Sequence, residues 1–431
     1  MLLGVQIKNF DVFADNDCGI LIDEFIAYNK EFTEGSKQDG LPESDKGQKK
    51  RKSMLTGLYP LRNLSAFIGK NGTGKTSFLE ALYFLKHSVT KNVADASITN
   101  DRPGFSKMII DKDKPCEFKL FFKLSDNKNP LFIQYELSIA STVHGSPYIF
   151  AEQARVCNDR CEEICVLKFN EGKGTVLRDI GAEQEEGELN SKHQTALKSY
   201  SGIKAYKLIS MLYKEIDGWF FCRFSSENRN TYFEDGNAPG GHKHLDSTGS
   251  NVKNVLEYLR VDDTEKYNEI VSMLETKSMA FKKKKKLPSK LDSSPDKYLL
   301  YLLLLNEKSL HSTIFIETPD RDLYFDMVDS LAEEFREYTI NHSYNQIILT
   351  THNSRIVESM PPKEIWMFRR IDKEDIDDIE IKSFGKDKLV DAMFKEGIGM
   401  GAIWYSGYLD SDENNEESTE ENTDENAEID R

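Results

Sequence analysis

The 431-residue sequence has no run approaching the roughly 18 apolar residues that a membrane-spanning helix requires; the best stretch, Tyr298 to Leu305, stops after eight. A membrane-embedded protein is therefore not expected. Residues Met1 to Phe10 lack a basic start, a long apolar stretch and a small-residue cleavage site, so no signal peptide is read there. Cysteines are few, six and unevenly spaced, which fits a reducing cytoplasm better than a disulfide framework. No internal repeat is visible. What the chain does have is 39% hydrophobic residues, enough at this length for one substantial core or two, which excludes disorder of the whole.

The formal charge of −16 argues at first against a nucleic-acid partner, because phosphate contacts need Lys and Arg. Most of it, however, sits in Asp410 to Arg431, where 11 acidic side chains face one basic one. The body of the chain is near neutral and carries two basic runs, Lys49-Lys50-Arg51-Lys52 and Lys282 to Lys286. Runs of this kind are usually solvated loops, and contact with nucleic acid stays open. The acidic tail has almost no apolar residue to offset the entropy of ordering, so it is expected to be disordered, either as a solubility tail or as a polyanion screening a basic surface.

Hydrophobic periodicity divides the remainder. Leu3, Val5 and Ile7 alternate with polar residues and predict an edge strand; 28–55 reads as an exposed loop. Leu64 to Ile68, a glycine-rich turn, and Phe78, Leu79, Leu82 and Leu85 at helical spacing predict strand, turn and helix. Four β-type runs between Cys116 and Asp179 predict an antiparallel sheet. Helical patterning covers Gln194 to Ile216 and Asn251 to Leu274, and Tyr298 to Leu305 fits a buried helix. Strand candidates Thr313 to Ile316 and Gln346 to Thr350 flank a helix from Asp322 to Tyr338, and that alternation implies a parallel sheet.

The turn, Gly69-Lys70-Asn71-Gly72-Thr73-Gly74-Lys75-Thr76, matches G-x-x-x-x-G-K-[ST] at every fixed position between the strand and helix the motif needs. Glycines let successive N–H groups converge on phosphate oxygens at the positive end of a helix. Lys75 is expected to reach the β- and γ-phosphates and the Thr76 hydroxyl to ligate Mg²⁺, with ATP or GTP as the nucleotide. Such a site needs an acidic residue at the end of a neighbouring strand, and Ile316-Glu317-Thr318-Pro319-Asp320 supplies the candidate. His352, after the next strand in Thr350-Thr351-His352, is placed to sense a γ-phosphate.

Together these pieces resemble the ABC-type ATPase heads of the SMC, RecF and OLD-nuclease group, among them stand-alone RecF-like AAA ATPases. The resemblance is carried by Asn9-Phe10 ending a first strand, Gly69 to Leu82 including Ser77, the acid-Pro strand end and Thr350-Thr351-His352; His244 to Val252 through Tyr258-Leu259 also looks like a segment common in that group. It implies an α/β fold: a P-loop NTPase head with an antiparallel β wing, a helical insertion and a disordered acidic tail. The implied division is 1–115 for the N-terminal part of the head, 116–180 for the β-rich lobe, 190–280 for the insertion, 287–408 for the C-terminal part and 409–431 for the tail. It also implies binding of ATP and Mg²⁺, by Gly69 to Ser77 with Thr76 and Glu317 on the metal, and two heads sandwiching two ATP molecules.

Two departures bear on activity. The family signature resembles Leu-Ser-Ser-Gly-Glu-Lys, and here Leu291 to Lys297 reads Leu-Asp-Ser-Ser-Pro-Asp-Lys. Pro295 has no N–H for a γ-phosphate, although Ser293 and Ser294 keep hydroxyl donors for the nucleotide. Anchored on Pro319, Glu317 falls in the Mg²⁺ slot and Thr318 where a carboxylate general base would activate water. A threonine cannot do that alone, and loss of a general base typically slows a reaction by about 10² to 10⁴. Slow hydrolysis is expected, unless Glu317 doubles as the base or Asp320 or His352 aligns a water.

Cys157, Cys161 and Cys165 are spaced by three residues each rather than as a zinc knuckle, so buried and hairpin cysteines are expected in preference to a metal. No nuclease, helicase or protease constellation is visible, and little length remains after His352 for a further catalytic domain. The resemblance therefore implies an ATP-dependent homo-oligomer that acts as a nucleotide-gated scaffold or sensor for a separate effector, a nuclease in anti-phage defence being the first choice. The competing reading is a DNA-dependent ATPase in recombination or repair in the manner of RecF; an ABC transporter subunit fits the degenerate signature and middle insertions poorly.

Overall fold

The computed structural model describes residues 1–29, 58–99, 102–126, 129–157, 162–224, 243–277, 294–307, 311–373 and 376–410. The two basic runs, Ser293, Cys161, the tail beyond residue 410 and most of the loop expected at 28–55 lie outside the described residues. Among the described residues no helix is long and apolar enough to cross a membrane.

Two sheets organise the α/β fold. The six-stranded sheet contains β3 (Leu64–Ile68), β10 (Trp219–Cys222), β11 (Thr313–Glu317), β12 (Gln346–Thr350), β13 (Ile365–Lys373) and β14 (Ile376–Ser383), in the order β10-β11-β12-β3-β13-β14. All neighbours are parallel except β13 and β14. Every residue of β3 and β12 is buried, as expected of central parallel strands covered on both faces. The polar Ser65 is accommodated because its hydroxyl accepts from the Arg62 N–H at 2.9 Å and donates to the Arg62 carbonyl at 3.3 Å.

The eight-stranded sheet is antiparallel throughout and contains β1 (Leu2–Phe10), β2 (Phe13–Gly19), β4 (Cys116–Asp126), β5 (Asn129–Ser141), β6 (Pro147–Cys157), β7 (Glu163–Asn170), β8 (Lys173–Leu177) and β9 (Gln184–Glu188). Its order is β2-β1-β4-β5-β6-β7-β8-β9. β1 is not the edge strand its alternation suggests, because β2 covers it. The turn between them is made by Asn9 and Asp11 at φ 55° and 51°, residue types that tolerate the left-handed region. The Asn9 side chain fixes that turn, donating to the carbonyls of Asp111 at 2.8 Å and Lys114 at 2.9 Å and accepting from the Asp111 N–H at 2.7 Å.

The helix Lys75–Thr90 lies between the sheets, which is why its buried residues surround most of its circumference. Phe78 meets Phe67 and Phe368 of the parallel sheet edge-on at 5.1 and 5.6 Å. Six residues on, and so on a different face of the helix, Phe84 meets Phe10 and Phe118 of the antiparallel sheet at 5.6 and 6.2 Å. Burial of each such ring stabilises the fold by roughly 2 to 3 kcal/mol. The opposite face of the parallel sheet is covered by the helices Ser294–Leu305 and Phe325–Asn341, where Tyr301 packs edge-on against Phe335 at 5.9 Å.

A polar tie joins the sheets at the far end from the glycine turn. Gln346, fully buried at the start of β12, accepts from the Leu2 N–H at 2.9 Å and donates to the carbonyls of Leu2 and Arg62, each at 2.9 Å. The two stretches of helical patterning each hold two helices: Ala196–Ser201 and Lys207–Asp217 in the first, Val252–Asp262 and Thr264–Lys277 in the second. Between those pairs, β10 belongs to the parallel sheet although it falls within 190–280.

Candidate functional site

The register β11-β12-β3 brings three strand ends to one edge of the sheet: Glu317 ends β11, Thr350 ends β12 beside it, and Gly69 follows β3. This is the carboxyl end of a parallel sheet, where backbone groups and loops are free to face a ligand.

Gly69 opens the turn at φ 139°, and a Cβ there would lie 2.2 Å from the Phe368 carbonyl oxygen, so no larger residue fits. Gly74, at φ 88°, ends the turn at the N-terminus of the helix Lys75–Thr90. Thr73 closes the loop on itself by donating to the Lys70 carbonyl at 2.9 Å. Lys75 is almost completely buried, with its ammonium bonded to the Gly69 carbonyl at 2.9 Å, the Lys70 carbonyl at 2.7 Å and the Thr73 hydroxyl at 3.2 Å. Burial lowers its pKa from the ordinary lysine value to about 8. A cation held inside a ring of its own loop's oxygens, with its charged form destabilised by burial, is primed to exchange those carbonyls for anionic oxygens.

Thr76 follows on the helix, and its hydroxyl donates to Glu317 Oε1 at 2.7 Å, a link across 241 residues of sequence. A hydroxyl and a carboxylate at this separation are hard oxygen donors of the kind Mg²⁺ takes, so the residues present fit that ion. Glu317 Oε2 forms an ion pair with Arg223 Nε, just past the end of β10. The adjacent Thr318 sits at φ 42°, a strained conformation for a β-branched residue, held by its N–H donating to Thr350 at the carbonyl (3.0 Å) and the hydroxyl (3.2 Å).

His352 lies across the glycine turn, Nδ1 3.0 Å from the Gly69 carbonyl. Since a carbonyl only accepts, Nδ1 carries the proton and the neutral ring keeps its lone pair on Nε2. Partial burial first, then the Lys75 charge, lower its pKa, so the ring is neutral near pH 7. It can accept from a water there, and becomes a donor to phosphate only on protonation, which a bound anion favours. Asp320 accepts from the Thr351 hydroxyl at 2.7 Å, tying the loop after β11 to the end of β12.

Gly69, Lys75, Thr76, Glu317 and His352 are thus brought to one strand-end edge of the sheet, and Lys70, Asn71, Gly72, Thr73 and Ser77 belong to the same turn and first helical turn. Ser294 opens the helix Ser294–Leu305; its side chain lies outside the described residues. Cys157 and Cys165 fall on the paired strands β6 and β7, and no cluster of three or more metal-ligating side chains occurs among the described residues. Sequence reasoning missed Arg223 and Glu80. Glu80 is four residues after Thr76 on the same helical face, the one hint available in the spacing, whereas Arg223 follows no motif and arrives only because β10 pairs with β11.

Comparison with solved structures finds similarity to an SMC head domain from Thermotoga maritima, at 13% identity over 89% of this chain and 98% of that chain, with a TM-score of 0.38. An SmcHead bound to the C-winged helix domain of ScpA is similar at 10% identity, 89% and 99% coverage and a TM-score of 0.44. An Smc head domain with an extended coiled coil, bound to the C-terminal domain of ScpA derived from Pyrococcus furiosus, is similar at 9% identity, 91% and 99% coverage and a TM-score of 0.39. Comparison with curated proteins finds no match. The family described as the AAA ATPase domain matches residues 59–309, more than half of the chain and including the whole glycine turn, and the chain belongs to that family.

Proposed function

We propose that the protein binds Mg²⁺ and ATP at the Gly69–Ser77 turn, hydrolyses ATP slowly, and works as a nucleotide-gated scaffold for a separate effector. Lys75, with the backbone N–H groups of the turn, would hold the β- and γ-phosphates, and Thr76 and Glu317 would hold Mg²⁺. When bound, that ion supplies positive charge to the phosphate oxygens. His352 is placed to order a water or, once protonated, to donate to the γ-phosphate. The observation that carries slow turnover is Thr318: the residue after the proposed metal-binding carboxylate has no carboxylate of its own, and a hydroxyl alone cannot serve as the base. With Glu317 given to the metal in this reading, the loss of a general base, about 10² to 10⁴ in rate, is not made up by that carboxylate.

An ATPase that turns over slowly is suited to holding a state. In this reading ATP gathers two or more copies of the chain, Ser293 and Ser294 contact the nucleotide across the assembly, and the assembled form holds or releases an effector in the cytoplasm, a nuclease in anti-phage defence being the first candidate. The test is single-site turnover of radiolabelled ATP beside Lys75→Ala and Thr318→Glu. Slow wild-type turnover, abolished in Lys75→Ala and raised at least about tenfold in Thr318→Glu, is expected. Turnover of many ATP per second that Lys75→Ala removes would sink the scaffold reading, and stimulation by added DNA would move the protein to recombination or repair.

A further inference from the structure

Both oxygens of Glu317 have partners within the chain: Oε1 takes the Thr76 hydroxyl at 2.7 Å and Oε2 takes Arg223 Nε. The first partner is compatible with a bound divalent cation, since both are oxygen ligands. The second opposes one. A guanidinium on Oε2 places a positive charge against the carboxylate that would hold the cation through Oε1, and the repulsion between the two cations weakens binding of the second.

The surroundings of Arg223 supply a second partner for it. Its Nη2 lies 3.4 Å from Glu80 Oε1, and the other oxygen of Glu80 pairs with Arg102 Nη2 at 3.3 Å. The backbone of Arg223 is anchored by its N–H donating to the Ser247 carbonyl at 3.0 Å. Ser247 lies in a loop tied by the Asp246 carboxylate, which accepts from the N–H groups of Thr248 (3.0 Å), Ser250 (2.9 Å) and Asn251 (3.1 Å). The main chain is thus fixed, while the side chain, 38% exposed, can pivot between two carboxylates. Leu79, Glu80, Arg223, Ser247, Thr248 and Glu317 line one cavity, so the pivot needs no passage through packed core.

We infer that Arg223 is an internal counter-ion of the metal site: it occupies Glu317 until the magnesium–nucleotide complex arrives, is then released toward Glu80, and so sets how much Mg²⁺ the protein needs to hold nucleotide. The inference rests on the nucleotide-binding reading above and gives the segment from His244 to Val252 a task, holding Arg223 opposite Glu317.

The test is a Mg²⁺ titration of binding of a fluorescent ATP analogue, followed by anisotropy, in wild type, Arg223→Gln and Arg223→Lys. Losing one charge-assisted hydrogen bond to the carboxylate corresponds to about a tenfold or greater fall in the half-saturating Mg²⁺ concentration for Arg223→Gln. Arg223→Lys shifts the same way by less, because an ammonium keeps the charge but lacks the planar fork, and it carries the test if Arg223→Gln does not fold. A Mg²⁺ requirement that is unchanged within about twofold, or raised, in the folded variants overturns the inference. If the wild type binds no analogue at any Mg²⁺ concentration, the nucleotide reading itself falls; if it binds and the requirement does not move, only the role of Arg223 falls.

Discussion

Gln346 is the most direct test of how the antiparallel wing is joined to the nucleotide-binding sheet. Replacing it with methionine keeps the length and nearly the shape of the side chain, so the core should not open, but it removes the amide that bonds the Leu2 N–H and carbonyl, each at 2.9 Å. The Arg62 carbonyl keeps the Ser65 hydroxyl at 3.3 Å. Two backbone groups of Leu2, a residue with no exposed surface, lose this partner, at about 1 to 3 kcal/mol for each buried group left unsatisfied. Methionine recovers about 1 kcal/mol by burying an apolar chain, leaving an expected loss of about 3 kcal/mol. Equilibrium urea unfolding followed by far-UV circular dichroism, with a common slope for both proteins, measures it. Nucleotide binding of the folded variant should be unchanged, because the opposite end of β12 carries the site and a five-residue strand spans roughly 16 Å. A loss below about 1 kcal/mol would show that the tie contributes nothing beyond packing and would refute the reasoning.

Glu152, fully buried on β6, accepts from the N–H groups of Ala196 (2.6 Å) and Leu197 (2.9 Å) and from the Tyr135 hydroxyl (2.9 Å), yet burial outweighs those bonds and raises its pKa to about 7. The folded protein then binds more protons than the unfolded chain between about pH 4.5 and 7, so this residue's contribution is fully present below that window and is lost as pH rises through it, by about 3 kcal/mol. Stability of wild type minus Glu152→Gln at four pH values across the window should fall by that amount, and a flat difference counts against it. Lys75, with a pKa lowered to about 8, must be charged to hold phosphate, so nucleotide affinity should be full below pH 8 and decline above it, with proton uptake on binding near that pH. Calorimetry in two buffers of different ionisation enthalpy reads the uptake; affinity constant from pH 7.5 to 9.5 contradicts it.

The nucleotide turn was legible because its residues are contiguous and each glycine answers a backbone demand: Gly69 a close approach to Phe368, Gly74 a left-handed step into the helix. Strands β4 to β7, β11 and β12 were legible from their apolar runs between turn clusters. β8 and β9 were not, since a pattern such as Gln184 to Glu188 is polar throughout and is held in the sheet by pairing alone. β10, four residues long, has too little length to show a period. The edge position assigned to β1 failed for a related reason, as period-two alternation reports which face is buried and says nothing about which strands lie on either side.

The sequence by itself pointed to the candidate chemistry proposed for this protein: a loop suited to phosphate, a hydroxyl and a carboxylate suited to a divalent cation, and a threonine where the family resemblance expects a base. Those properties belong to residue types at short spacing. Only the tertiary structure decided what each group meets within the chain, with Lys75 folded into its own loop, His352 turned to Gly69 and Arg223 on Glu317. The contact between Arg223 and Glu317 spans residues 94 positions apart in the chain and exists because β10 and β11 run side by side, a relation that no local pattern encodes.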